Sequence, residues 1–159
     1  MIKYLKWCFM NKLKELRIKF SITQWGLAKK LNISQNTISQ YENEVNDIPT
    51  HILKALAVFY NVSIDYILGL TNIDKPYSES SITLTFKDAN RLKEIREDRD
   101  LLQKDVAKIL DMTQTGYSQY EIGANDISTK VLKKLAYHYN VSIDYLLYLT
   151  DERDYHRRK

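Results

Sequence analysis

The sequence predicts an all-α protein built as two tandem five-helix domains, and three observations carry that expectation. First, the chain contains one sequence twice: positions 13–71 match 92–150 without a gap, and about half of the paired positions are identical. The closest stretches are Gln40-Tyr41-Glu42 with Gln119-Tyr120-Glu121 and Asn46-Asp47-Ile48 with Asn125-Asp126-Ile127. The longest pairs Tyr60-Asn61-Val62-Ser63-Ile64-Asp65-Tyr66 with Tyr139-Asn140-Val141-Ser142-Ile143-Asp144-Tyr145. Second, apolar residues recur at spacings of three and four, the helical period. Third, cap residues and turn formers cut each copy into short helical segments. The period is too long, and the units too few, for a small solenoid.

Each copy spans about 60 residues, a size that buries only about 60% of its unfolded surface. The expected organisation is a first domain over 1–72 with an N-terminal helical extension over 1–11, a linker over 73–86, a second domain over 87–151 and a basic tail over 152–159.

The first helix runs from about Lys12 to Lys19 with Leu13 and Leu16 inward; Leu92 and Ile95 are the counterparts. Ile2, Leu5 and Phe9 extend the same stripe backwards. That segment reads as an extended first helix, as sequence preceding a start at Met10, or as a partner-binding helix. Lys6 breaks its apolar run and no small-residue cleavage site follows, which argues against a signal peptide. Thr23 caps a second helix from Gln24 to Leu31, and Ser34 caps a third from Gln35 to Glu42. In the second copy Leu102 replaces Thr23, which removes that cap. Asn32 and Asp111 sit where the chain reverses, and both residue types tolerate the left-handed conformation. Ala28 and Ala107 let the next helix cross closely above Leu27 and Ile38, or Val106 and Tyr117. Gly116 inside the third helix of the second copy costs about 1 kcal/mol relative to alanine. Pro49 and Thr50 open a fourth helix with Ile52, Leu53, Leu56, Ala57 and Tyr60 on one face. Ser63 caps a short fifth helix, where Asp65 complements the dipole of the first turn. The polar run from Asn72 to Ser81 reads as linker, and Ile82, Leu84 and Phe86 alternate with threonines in a hint of a strand.

The lone cysteine, Cys8, excludes an intramolecular disulfide and argues against a cysteine zinc site. The three histidines are scattered, so no metal or other cofactor is expected. The 44% apolar and 28% charged content suits a soluble globular protein without a membrane span, and the absence of a disulfide fits a reduced cytoplasmic compartment. The net charge of +4 is uneven: residues 1–72 hold nine Lys/Arg against five Asp/Glu, and residues 88–159 hold thirteen of each. A basic first copy is compatible with nucleic acid.

Two short helices joined by a tight turn, with a small residue in one and an apolar residue in the other, form a helix-turn-helix pattern. The pattern recurs in the duplicate. The carrying residues are Leu13-Lys14-Glu15-Leu16-Arg17, Thr23-Gln24, Leu27-Ala28-Lys29-Lys30-Leu31, Ile33-Ser34, Thr37-Ile38-Ser39-Gln40-Tyr41-Glu42 and Val62-Ser63-Ile64-Asp65-Tyr66-Ile67-Leu68. On these residues each copy resembles the Cro and phage-repressor helix-turn-helix family, also called the xenobiotic-response-element type. The resemblance implies lambda-repressor-like five-helix domains whose third helix enters the DNA major groove. It implies that Gln24 and Gln103, opening the second helix, touch phosphate, and that Gln35 and Gln114, opening the third, face bases. Asn36, Thr37, Gln40 and Asn43 join the DNA-binding set of the first copy, and Thr115 and Gln119 that of the second. Glutamine and asparagine suit adenine, whose edge offers an acceptor and a donor together.

Polar residues on a short surface helix are ordinarily just solvated, and it is the whole repeated pattern that lifts these to contacts. Tyr41, Tyr66, Tyr120 and Tyr145 read as packing residues. Lys29 and Lys30 fit either phosphate or solvent. Glu42 and Glu121 would repel phosphate and read as structural partners of Arg17 and Arg96. Neither third helix contains a cation, so electrostatic anchoring is expected from elsewhere.

The favoured function is a sequence-specific transcriptional regulator, a bacterial or phage-type repressor, with double-stranded DNA as partner. The first copy, with its charge excess, is expected to bind DNA more strongly. The alternative is a protein-interaction module of antitoxin or adaptor type, its second domain serving dimerisation or partner binding. No nucleophile with a nearby base and no glycine-rich phosphate loop supports an enzyme. The linker spans at most about 46–50 Å and typically about 20 Å as coil, enough for a covalent pseudo-dimer across one DNA turn. A homodimer through the N-terminal stripe is the other arrangement considered.

Overall fold

The computed structural model describes residues 10–74 and 90–153, in which every regular element is a helix. The first copy comprises α1 (Leu13–Lys19), α2 (Gln24–Leu31), α3 (Gln35–Glu42), α4 (Thr50–Tyr60) and α5 (Ile64–Ile67). The second repeats it as α6 (Leu92–Glu97), α7 (Gln103–Ile109), α8 (Gln114–Glu121), α9 (Thr129–Tyr139) and α10 (Ile143–Leu146). The N-terminal stripe from Ile2 to Phe9, the alternation over 82–86 and most of the linker and tail lie outside the described residues.

Caps start these helices where the sequence indicates. The Thr23 and Ser34 hydroxyls each accept a hydrogen bond at 3.0 Å, from Gly26 N–H and Thr37 N–H. Ser63 and Ser142 do the same for α5 and α10. Left-handed residues end the segments at matched places in both copies: Ser21 with Asp100, Asn32 with Asp111, Glu44 with Gly123, Asn61 with Asn140, and Gly69 with Tyr148. The backbone path is therefore duplicated even where the residue type is not. Glu44 and Tyr148 adopt a conformation that favours glycine, and each stands where the other copy has one.

Leu13, Leu16, Leu27, Ile38, Leu53, Leu56, Ile64 and Ile67 are buried in the first copy, with their counterparts in the second. The two sets join in one apolar cluster. Backbone bonds from Lys12 N–H to Ile67 O at 2.7 Å and from Arg91 N–H to Leu146 O at 2.8 Å clip the first helix of each copy to the end of its fifth.

The copies meet across a seam formed by α5 and α10 and by the loops before α4 and α9. Asp144 accepts from the N–H groups of Ile64 and Asp65, while Asp65 accepts from that of Ile143. Asp126 accepts from the N–H and hydroxyl of Thr50, and Asp47 accepts from the Thr129 hydroxyl at 2.5 Å. The bonds of the Thr50 and Thr129 hydroxyls, and those of the Ile64 and Ile143 N–H groups, correspond with the copies exchanged, the mark of an approximate two-fold arrangement. Asp65 thus complements a helix start, as its first-turn position suggested, but that helix belongs to the other copy. Its own first turn is served by Asp144.

Candidate nucleic-acid interface

The helix pair α2–α3 is set by a buried ionic clamp. Arg17 Nε donates to Glu42 Oε1 at 2.5 Å and Arg17 Nη2 to Glu42 Oε2 at 3.2 Å, and Arg17 Nη1 reaches Ile22 O at 3.0 Å. Gln24 Nε2 also donates to Glu42 Oε2, at 2.9 Å. One carboxylate at the end of α3 therefore ties together α1 and the start of α2. The second copy repeats the clamp, with Arg96 Nε at 2.6 Å from Glu121 Oε1 and Gln103 Nε2 at 2.8 Å from Glu121 Oε2. The side chains of Glu42 and Glu121 are only 1% and 2% exposed, so both charges depend on these donors. Burial pushes the Glu121 carboxyl up, but the bonds from Arg96 and Gln103 outweigh it and hold it below the usual range. Hydrogen bonding to its glutamate raises each arginine further.

With α3 so held, its outer face carries Gln35 and Asn36, both exposed, and the half-buried Gln40. On α8 the same positions are the exposed Gln114 and Thr115 and the half-buried Gln119. Thr37 and Asn43 sit differently. The Thr37 hydroxyl lies 2.8 Å from that of Ser34 within the cap. Asn43 Nδ2 donates to Ser39 O at 2.8 Å and closes the last turn of α3. Gln24 and Gln103 are half-buried, with one amide hydrogen committed to glutamate and the other left for an outside acceptor. Asn46 and Asn125, which the sequence marks only as part of a repeated run, prove to touch the same face. Their amides donate to Gln40 Oε1 at 2.9 Å and to Gln119 Oε1 at 2.5 Å. Those two glutamines consequently present donors outward, whereas Gln35 and Gln114 are not so engaged.

The cations lie off the third helices. Lys29 and Lys30 are exposed beside α3, each 5.3 Å from the centre of an aromatic ring, Trp25 and Phe59 respectively. The cap expected to be missing at Leu102 is partly replaced: Asp105 Oδ2 accepts from Leu102 N–H at 2.9 Å. Tyr41 and Tyr145 are buried and Tyr66 and Tyr120 half-buried, in packing roles. No His/Cys/Asp/Glu group able to hold a metal occurs among the described residues, and no helix there is long and apolar enough to cross a membrane.

Two bundles of this kind, each displaying a short clamped helix after a tight turn, define a helix-turn-helix protein. The helix-turn-helix family model matches at residues 13–67 and again at 92–146, and the chain belongs to that family of DNA-binding transcriptional regulators. It is 37% identical over 92 residues to the HTH-type transcriptional regulator ImmR of Bacillus subtilis (strain 168), covering 58% of this chain and 71% of that one. It is 38% identical over 71 residues to the uncharacterized HTH-type transcriptional regulator YobD of the same organism, covering 45% and 63%. To the antitoxin PezA of Streptococcus pneumoniae serotype 4 (strain ATCC BAA-334 / TIGR4) it is 31% identical over 72 residues, 45% of this chain and 46% of the relative. No solved structure shows a significant match to the chain.

Proposed function

We propose that the protein is a repressor that presents α3 and α8 to successive major grooves as the two halves of one covalent pseudo-dimer. The observation carrying this reading is the recurrence of one exposed polar helix face, Gln35-Asn36 and Gln114-Thr115, on identically clamped helices. In this reading Gln35 and Gln114 pair with adenine edges through acceptor and donor together. Gln40 and Gln119, with their oxygens held by Asn46 and Asn125, offer donors to base acceptors. Gln24 and Gln103 reach phosphate with the amide hydrogen that the clamp leaves over. Asn36 and Thr115 complete the base-facing set. Thr37 and Asn43 contribute by shaping the two ends of α3. Action in the cytoplasm belongs to the same reading.

The exchangeable contacts of the seam favour inverted half-sites over direct ones, since a two-fold protein matches a two-fold site. The test is to select bound duplexes from a random pool, then measure footprint and stoichiometry. One chain protecting two adjacent turns, about 34 Å apart, of an inverted repeat is expected. Two chains protecting one turn each, with the second copy off the DNA, would overturn the pseudo-dimer and make that copy a partner-binding domain.

A further inference from the structure

Asp65 and Asp144 lie in the seam between the copies, away from α3 and α8 in sequence, and are 5% and 2% exposed. Their hydrogen bonding is unequal. Asp144 uses both oxygens: Oδ1 accepts from Ile64 N–H at 3.0 Å and Oδ2 from Asp65 N–H at 3.3 Å. Asp65 accepts through Oδ2 from Ile143 N–H at 2.8 Å, and its Oδ1 is buried with no donor. The two carboxyl groups share the seam, each accepting from the first turn of the other's helix. A bare carboxylate oxygen there is both desolvated and set against a like charge. A proton on it relieves both costs, because a carboxyl O–H donates where a carboxylate only accepts.

We propose that the seam is closed by a single proton, carried on Asp65 Oδ1 and donated to Asp144, so that the joint between the two copies loosens as the pH rises. Asp65 also receives N–H groups, but its Oδ1 is without a donor, whereas both Asp144 oxygens receive N–H groups that stabilise the charged form, so the proton resides on Asp65. The energetics run the same way. Burial first, then the charge of Asp144, raises Asp65 well above the aspartate range. Asp144 is also raised by burial but is drawn back by the bond from Asp65 and by the N–H groups.

Ionisable groups on the flanking elements have other partners. Tyr60 of α4 packs edge-on against Phe20 and Phe59, and Tyr139 of α9 packs against His138 with Arg99 over its ring. Lys12 lies over Tyr66, and Arg91 and Arg153 lie over Tyr145. Near the seam's other end, Asp126 and Asp47 are taken by Thr50 and Thr129.

The folded pKa is raised, so the stabilisation is complete below the ordinary aspartate pKa and is lost as pH rises through the raised value. Within that window each pH unit shifts the closed-to-open ratio about tenfold. Any effect on DNA spacing rests on the pseudo-dimer reading; the proton does not.

The test needs no DNA. Infrared spectra of the full-length protein at neutral pH are expected to contain the carbonyl band of a buried protonated carboxylic acid, absent in Asp65→Asn. An asparagine there supplies an N–H donor to Asp144 and an oxygen for Ile143 N–H, and so keeps the seam closed without a proton. X-ray scattering from neutral to alkaline pH should show the wild type expanding and Asp65→Asn unchanged. Asp144→Asn loses an acceptor for one N–H and should be the more open variant at every pH. The proposal is overturned if the wild type lacks the band, or if wild type and Asp65→Asn expand alike. Should Asp65→Asn fail to fold, the wild-type band alone decides.

Discussion

The first copy starts its second helix with a side chain outside the helix, and the second copy does so from within. In the first, Thr23 accepts from the N–H of Gly26. In the second, Leu102 has no acceptor, and Asp105, standing where the first copy has Gly26, reaches back to the Leu102 N–H. A similar exchange occurs after the third helix, where Glu44 and Gly123 share the left-handed position. What does not vary is the Arg–Glu–Gln clamp. Local devices worth about 1 kcal/mol are interchangeable between the copies. The contacts that orient one helix against another are not, because they involve buried charge whose partners must be present at the right place.

The largest effect that would break this comparison is loss of the clamp. Arg17→Ala leaves Glu42 buried without its main donor and should lower unfolding stability by about 3–5 kcal/mol. Arg96→Ala should cost a similar amount, and denaturant unfolding of both variants checks the equality. A loss under about 1 kcal/mol in either would mean that the clamp is not shared. The Glu121 contribution is present above the ordinary glutamate pKa. It disappears as pH falls through the depressed value of Glu121, opposite in sign to the seam.

Next in size is base reading. Gln35→Ala should weaken binding to a selected duplex by about 1–3 kcal/mol while sparing scrambled DNA. Gln24→Ala should weaken both alike, since phosphate carries no sequence. Gln114→Ala sharpens the contrast between copies: an effect equal to that of Gln35→Ala is expected if both helices read. A gel-shift titration on matched and scrambled sites measures all three, and identical behaviour of Gln35→Ala and Gln24→Ala would remove the assignment of roles.

Smaller still, Gly123→Ala should cost about 1 kcal/mol, because its φ of 69° is unfavourable for a residue with a Cβ. Thermal unfolding reports it. The smallest pair has opposite signs. Thr23→Ala should lose about 0.5–1 kcal/mol, whereas Leu102→Thr should gain a few tenths by adding the hydroxyl to the Asp105 bond. A fall of melting temperature for Thr23→Ala and a smaller rise for Leu102→Thr would establish that each copy has half of the capping arrangement.

Much of the fold was legible in the residues. The starts of α2 and α3 follow from Thr23 and Ser34, whose hydroxyls satisfy N–H groups that any helix leaves bare. The reversal after α2 follows from Asn32, and the pairing of Glu42 with Arg17 from the repulsion a free carboxylate would meet at DNA. The exposed positions of Gln35 and Gln114 follow from helical period and turn. Less legible were the side chains whose partners lie far along the chain. The commitment of Gln24 to Glu42, and the hold of Asn46 on Gln40, depend on how α2, α3 and the following loop come together.

The sequence by itself determined two all-helical copies, their caps and turns and the polar face of each third helix, because those depend on neighbours a few residues away. Only the tertiary structure decided how the copies face one another. Asp65 obeys the local rule that a carboxylate suits a helix start, yet it serves the helix of the other copy, 78 residues away. Local chemistry states which group an aspartate favours; it does not state which of two identical helix starts will be within reach. That choice is made by the packing of α5 against α10, which brings both acids into one buried space and makes their protonation a property of the pair.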